Sequence, residues 1–206
     1  MSLLSVAFVG SLDALDPLSG ATGVTASTRV CVLATAAAFQ GPRESIDQVR
    51  DLLAVSGASV VGVDGIDRAS ANDASVVRTV TSADLVVLVD GAVLHARSVW
   101  RDTALGDALA TSRLIAVGSV GSVLGETMID PRGGAPTTGL GCFGGVVVSI
   151  PAGTDQTVRT RHLLGDQVIF IQLGPRSVVT YDDQWGVNVS DDLVVTRGDE
   201  AVSLSK

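Results

Sequence analysis

The chain has 206 residues, a formal charge of −8 and 46% hydrophobic residues, but only four Phe, two Trp and one Tyr. It is too apolar to be disordered, and its acidic sign and few aromatics argue against phosphate-backbone or base-stacking partners, so no nucleic acid is expected. Its apolar runs are strand-sized, and the start MSLLSVAFVG has no basic residue before Arg29, so neither a membrane span nor a signal peptide is expected.

Residues 5–9 and 29–33 read as short strands separated by a polar, Gly-bearing loop. Pro42 opens a helix to about residue 56, with Ile46, Val49, Leu52 and Leu53 at helical spacing and Gly57 as its stop. A strand follows over 59–63, then a helix over 73–81 with Ala74, Val77 and Thr81 inward, and a fully apolar strand over 85–89. Two short helices, 93–100 and 103–110, split at Arg101 and Asp102, and 114–117 is a further buried strand. Apolar strands punctuated by helices predict right-handed crossovers and a parallel sheet covered on both faces. Beyond Gly118 the texture changes: 133–145 is Gly-rich, 156–164 is helical, and five short strands at 168–173, 177–181, 186–189, 193–196 and 201–204 complete the chain. The expectation is one α/β domain over 1–206. It has a three-layer sandwich with a mostly parallel, flavodoxin-like sheet (1–165), then edge strands and a small antiparallel ribbon (166–206).

Cys31 and Cys142 lie outside any CxxC pair, and His95 and His162 lack partners at ligand spacing, so neither a metal nor a cofactor is expected. Lys206 is the only lysine, an arginine bias that fits a GC-rich bacterial genome, and the expected location is cytoplasmic.

In an open parallel sheet, ligands bind at the carboxyl ends of the strands. The candidate loops begin at Val9, Val89 and Ala116, and the last two carry a family pattern. DGAVLHARSVWRDTALGDAL, from Asp90, is followed by a strand running into Gly118-Ser119-Val120-Gly121-Ser122, then MIDPRGG from Met128 and GLG from Gly139. With VLATAAAFQGPRES from Val32, these segments resemble the cyanophycinase and dipeptidase E type of serine peptidases, a branch of the class I glutamine amidotransferase-like fold. The resemblance spans roughly Val6 to Leu204. It implies a nucleophile on a tight strand-to-helix turn, a general base after the strand that follows GLG, and an orienting acid at a later strand end.

The sequence departs from that pattern at each station. Val120 stands where the elbow motif needs Ser, although the short spacing to DPRGG lets the alignment slip onto Ser119. The base position falls on Pro151, Ala152 or Asp155, and no His occurs there before His162. Pro175 replaces the acid, and the substrate-contact turn is reduced to Asp90-Gly91-Ala92-Val93.

Ser119 and Ser122 remain candidate nucleophiles, or else caps of a helix beginning near Val120. Cys142 is a second candidate nucleophile, or a structural thiol. Asp90, Gly91, His95 and Arg132 are candidate binding residues, with Arg132 alternatively closing an internal salt bridge. His162, beside Arg159 and Arg161, suits a helix end. Asp182–Asp183 and Asp191–Asp192 read as turn residues. The expected function is a non-catalytic homologue with a binding or scaffolding role. Its partners would be a small carboxylate or peptide ligand and a second copy of the chain. The alternative is an active serine-type hydrolase of small Asp-containing peptides with a relocated Ser or Cys.

Overall fold

A computed structural model describes residues 4–15, 23–64, 66–151, 153–189 and 192–204. Five β-rich runs become parallel strands: β1 (Ser5–Val9), β2 (Arg29–Leu33), β3 (Ser59–Val63), β4 (Leu85–Leu88) and β5 (Arg113–Val117). They lie in the order β1-β5-β4-β2-β3. The antiparallel pair β10 (Val178–Asp182) and β11 (Gln184–Val189) extends the sheet beyond β1 to seven strands.

The strands are continuous apolar runs because both faces are covered over most of their length. Val30, Val32, Val87 and Ile115 pack with Ile46, Val49 and Leu53 of α1 (Pro42–Leu53). Residues of opposite parity, Cys31, Leu33, Val86, Leu88 and Ala116, join Trp100, Leu105 and Leu109 on the other side. These come from α3 (Val93–Trp100) and α4 (Ala104–Leu109), beside which lies α2 (Ala74–Thr81). The β2-to-β3 connection runs outward, whereas the next two return, so right-handed crossovers send α1 to one face and α2–α4 to the other.

Local signals explain the helix bounds. Pro42 starts α1, whose last turn tightens to a 3-10 segment before Gly57 at φ 73°. The Asp73 side chain caps α2, accepting from the Ser75 amide at 2.7 Å. Asp102 at φ 54° separates α3 from α4, and Thr103 caps the latter.

Two expectations need correction. The edge strand β3 is not covered on both faces, and Val61 is 52% exposed. On α2 the inward residues are Val76, Val77 and Val80, while Ala74 and Thr81 are exposed, because tertiary contact selects a face rotated from the expected one. The C-terminal strands supply the expected edge strands, β10 and β11, and the expected small antiparallel pairing, here of β12 (Val194–Arg197) with its neighbours. β9 (Ile169–Gln172) pairs in parallel with β8 (Val146–Ser149). With β12 and β13 (Glu200–Ala201) they make a second, four-stranded sheet in the order β13-β12-β9-β8. Val146, Val148, Ile171 and Leu173 carry it into the same apolar cluster as Phe8 and Leu88. The Gly-rich stretch also contains a strand pair, β6 (Thr127–Ile129) with β7 (Pro136–Thr138). α5 (Thr154–Leu164) follows β8. Four of the few aromatics, Phe8, Phe143, Tyr181 and Trp185, gather in one cluster, with Phe8 stacked on Trp185 at 5.5 Å.

Candidate functional site

The parallel register aligns Leu33 with Leu88 and Leu88 with Ala116, so the loops leaving β2, β4 and β5 emerge side by side. Beyond β4, Gly91 at φ 147° crosses so close to the β2 exit that a Cβ there would lie 2.3 Å from the Ala36 carbonyl oxygen. The Ala92 amide donates to that oxygen at 2.7 Å, and buried Trp100 Nε1 donates to Thr35 Oγ1 at 3.2 Å. These bonds fix Asp90 at the mouth of the sheet.

Asp90 holds the β5 exit. Its Oδ1 accepts from the Gly91 amide at 2.8 Å, the Ser119 amide at 2.9 Å and Ser119 Oγ at 2.5 Å. The residue in the left-handed conformation at this exit is Gly118, at φ 62°. A Cβ there would meet Asp90 Oδ2 at 2.3 Å. This corrects the motif-based assignment: Val120 does not occupy the strained position. Residues Gly118–Leu124 form a 3-10 segment instead of an α-helix, and Val120 is buried in the core with Val123 and Leu124. Gly121 admits Phe8, whose Cδ1 would lie 2.7 Å from a Cβ. Ser122 is not a helix cap either; its hydroxyl donates back to the Ser119 carbonyl at 2.8 Å.

Beside this turn lies a cleft of about 230 Å³. Ser119, Ser122 and Ser149 supply hydroxyls, Val93, Ile129 and Ile150 supply apolar wall, and Pro131, Pro151 and Gln156 close the rim. The DPRGG segment builds one wall as a turn docked on α5. Thr160 Oγ1 donates to the Gly134 carbonyl at 2.8 Å, and Gln156 Nε2 donates to the Pro131 carbonyl at 3.3 Å. Gly134 sits at φ 73°, and a Cβ there would strike Thr160 Oγ1 at 2.6 Å, so Gly is required. Arg132 points away into an ion pair with Asp130, its Nη2 2.6 Å from Oδ2. That guanidinium lowers the Asp130 carboxyl from 3.8 to about 2.

The other candidates lie apart from the cleft. His95 packs edge-on against Phe39 at 4.9 Å, a ring that is 75% exposed. His162 is exposed near the end of α5, whose first turn carries Asp155; Ala152 lies outside the described residues. Among the described residues, neither Ser119 nor Ser122 bonds to a histidine. Cys142 lines a different cleft, of about 290 Å³, with Trp100, Arg101, Asp107 and Glu126. Burial pushes its thiol up to about 11, which favours the protonated form at neutral pH. At the acid position, the Pro175 carbonyl accepts from Ser11 Oγ at 2.9 Å.

One carboxylate there escaped sequence reasoning. Asp192, taken for a turn residue, clamps the turn at Gly174, accepting from Ser177 Oγ at 2.7 Å and the Arg176 amide at 3.3 Å. No sequence signal links it to Ser177, because the contact joins segments brought together only by packing. Asp191 lies outside the described residues. Among the described residues, no group of three or more His, Cys, Asp or Glu is arranged to hold a metal ion. Nor is any described helix long and apolar enough to cross a membrane.

No protein-family model matches the chain, and no curated protein matches it. Solved structures do share its fold. It is similar to a peptidase from an acI-B1 actinobacterium, with a TM-score of 0.71 and 19% identity, covering 98% of this chain and 97% of that one. It is also similar to a putative peptidase E protein from Listeria monocytogenes EGD-e, with a TM-score of 0.63 and 11% identity, covering 95% of this chain and 98% of that one. At such identities the likeness is one of fold, and the fold is the peptidase E-like one that the sequence motifs imply.

Proposed function

We propose that the chain is a non-catalytic relative of the cyanophycinase- and peptidase E-like serine peptidases that binds a small molecule in the cleft beside Ser119. The observation that carries this reading is the β5 exit. The left-handed residue is Gly118, which has no side chain, and the Asp90 carboxylate fills the space a Cβ would need. Acyl transfer requires a nucleophile, a base within hydrogen-bond reach and donors facing the developing oxyanion. The 3-10 segment after β5 supplies no long helix dipole, and the Ser119 amide is already committed to Asp90. A cleft of about 230 Å³ with an apolar wall and a few hydroxyls is sufficient for a small ligand without any reaction.

One observation favours a second reading, an active hydrolase using Ser119: its hydroxyl donates to Asp90 Oδ1 at 2.5 Å. A carboxylate is a far weaker base than an imidazole, and this oxygen accepts from two amides as well, so the bond is better explained as a cap. Two measurements separate the readings: cleavage of Asp-containing dipeptides, and labelling by a fluorophosphonate. No turnover above the buffer blank and no labelled serine are expected. Turnover abolished by Ser119→Ala or Ser122→Ala would overturn the non-catalytic reading.

A further inference from the structure

The hydrogens around the cleft can be assigned one by one, because each hydroxyl has a partner that can only accept. Ser119 Oγ donates to the Asp90 carboxylate at 2.5 Å, Ser122 Oγ to the Ser119 carbonyl at 2.8 Å, and Ser149 Oγ to the Ile150 carbonyl at 3.1 Å. A serine hydroxyl carries one hydrogen and two lone pairs, so all three have committed their donor and retain acceptor capacity. The Ser119 amide is likewise taken, and Gln156 gives an amide hydrogen to Pro131. The three hydroxyls that line this cleft therefore offer lone pairs and not hydrogens.

The charge around it has the matching sign. Asp90 lies directly behind Ser119 and, among the described residues, is in no ion pair. Arg132, the cation next to the rim residue Pro131, is held by Asp130. The positive N-terminal end of α5, which brings Gln156 to the rim, carries Asp155 on its first turn.

We infer that the cleft beside Ser119 takes a small organic ammonium ion carried on an apolar body, and discriminates against carboxylates. This inference rests on the binding reading of the same cleft. An ammonium group brings three hydrogens to oxygens that have lone pairs to offer, in the field of Asp90. A carboxylate would face those lone pairs, and turning a hydroxyl toward it would break a bond to Asp90 or to a carbonyl. Val93, Ile129 and Ile150 provide the surface for the alkyl part. Of the small carboxylate or peptide ligand expected from the sequence, the carboxylate is the form this chemistry favours least.

The test is a titration of the 15N-labelled protein with n-butylammonium chloride, n-butanol and sodium butyrate at pH 7 and constant ionic strength. The readout is the amide resonances of Ser119, Ser122, Ser149, Ile150 and Gln156. Butylammonium is expected to saturate these shifts in the millimolar range usual for a fragment of this size, with butyrate at least about tenfold weaker. Asp90→Asn, which keeps the shape and removes the charge, is expected to weaken butylammonium by about tenfold and to leave butanol nearly unchanged. Ser149→Ala, remote from the β5 turn, should also weaken butylammonium, so a folding defect in the Asp90 variant leaves the idea testable. Butyrate binding as tightly as butylammonium would overturn the inference, as would failure of butylammonium to saturate these resonances. Dipeptide hydrolysis measured on the same samples keeps the two claims apart. Turnover sinks the non-catalytic reading alone, whereas a preference for butyrate sinks the ammonium preference alone.

Discussion

Gly118→Ala is the substitution whose effect follows most directly from the site. Gly118 has φ 62°, where a side chain costs about 1–2 kcal/mol. The added Cβ would also lie 2.3 Å from Asp90 Oδ2 and 2.4 Å from its Cγ, so the carboxylate must swing away. Asp90 then loses its bonds to the Gly91 amide, the Ser119 amide and Ser119 Oγ, each worth about 0.5–1 kcal/mol at a solvent-facing position. The expected destabilisation is about 2.5–5 kcal/mol, or roughly 5–20 °C in Tm for a chain of this length. Urea unfolding of four proteins checks it: wild type, Gly118→Ala, Asp90→Ala and the double variant. In the Asp90→Ala background the obstacle is gone, and Gly118→Ala should cost only the backbone part, about 1–2 kcal/mol. An equal cost in both backgrounds would refute the idea that the carboxylate occupies the side-chain position of this turn. A loss below about 0.5 kcal/mol in the single variant would refute the strain argument itself.

Thr35→Val strips the buried Trp100 indole N–H of its acceptor and should cost about 1–3 kcal/mol in urea unfolding, with the slope unchanged. Asp84, held by the Arg29 guanidinium, and Asp130, held by Arg132, should both titrate at about 2 when followed by carboxyl carbon NMR. Arg132→Gln should raise Asp130 alone, leaving the part of the lowering that the backbone amide of residue 132 supplies. Because both folded values lie below the unfolded one, these pairs stabilise the fold above about pH 4 and lose that effect as pH falls toward 2. A wild-type Asp130 titrating near 4 would contradict the ion pair seen here. Burial pushes both Cys31 and Cys142 to about 11, so roughly one thiol in a thousand is ionised at pH 8. Iodoacetamide should leave both unmodified until denaturant is added; rapid modification of Cys142 in the folded protein would show a thiolate at that cleft.

Element by element, the parallel half of the chain was legible from sequence. Strands at β1, β2 and β3, the helix opened by Pro42, and the break at Asp102 were carried by local signals of residue type and spacing. The second sheet was not, since β8 and β9 pair across the intervening α5 and neither sequence indicates its neighbour. β6 and β7 are three residues each, too short for their alternation to stand out from the Gly-rich background. At the β5 exit, the motif spacing and the backbone geometry single out different residues. The sequence pattern selects Val120 by spacing from Gly118, whereas φ selects Gly118 and packing sends Val120 into the core.

What the sequence determined by itself was the fold class, because periodicity and residue identity are local properties. The role of Asp90 was decided only in three dimensions. Sequence reading took it for the remnant of a substrate-contact turn, 29 residues from Ser119. The parallel pairing of β4 with β5 lays their exits side by side, and from there a single carboxylate oxygen receives three hydrogens. Hydrogen-bond direction is a property of which donor meets which acceptor. That the three hydroxyls of the cleft offer lone pairs therefore emerged only when β4, β5, β8 and α5 were packed together.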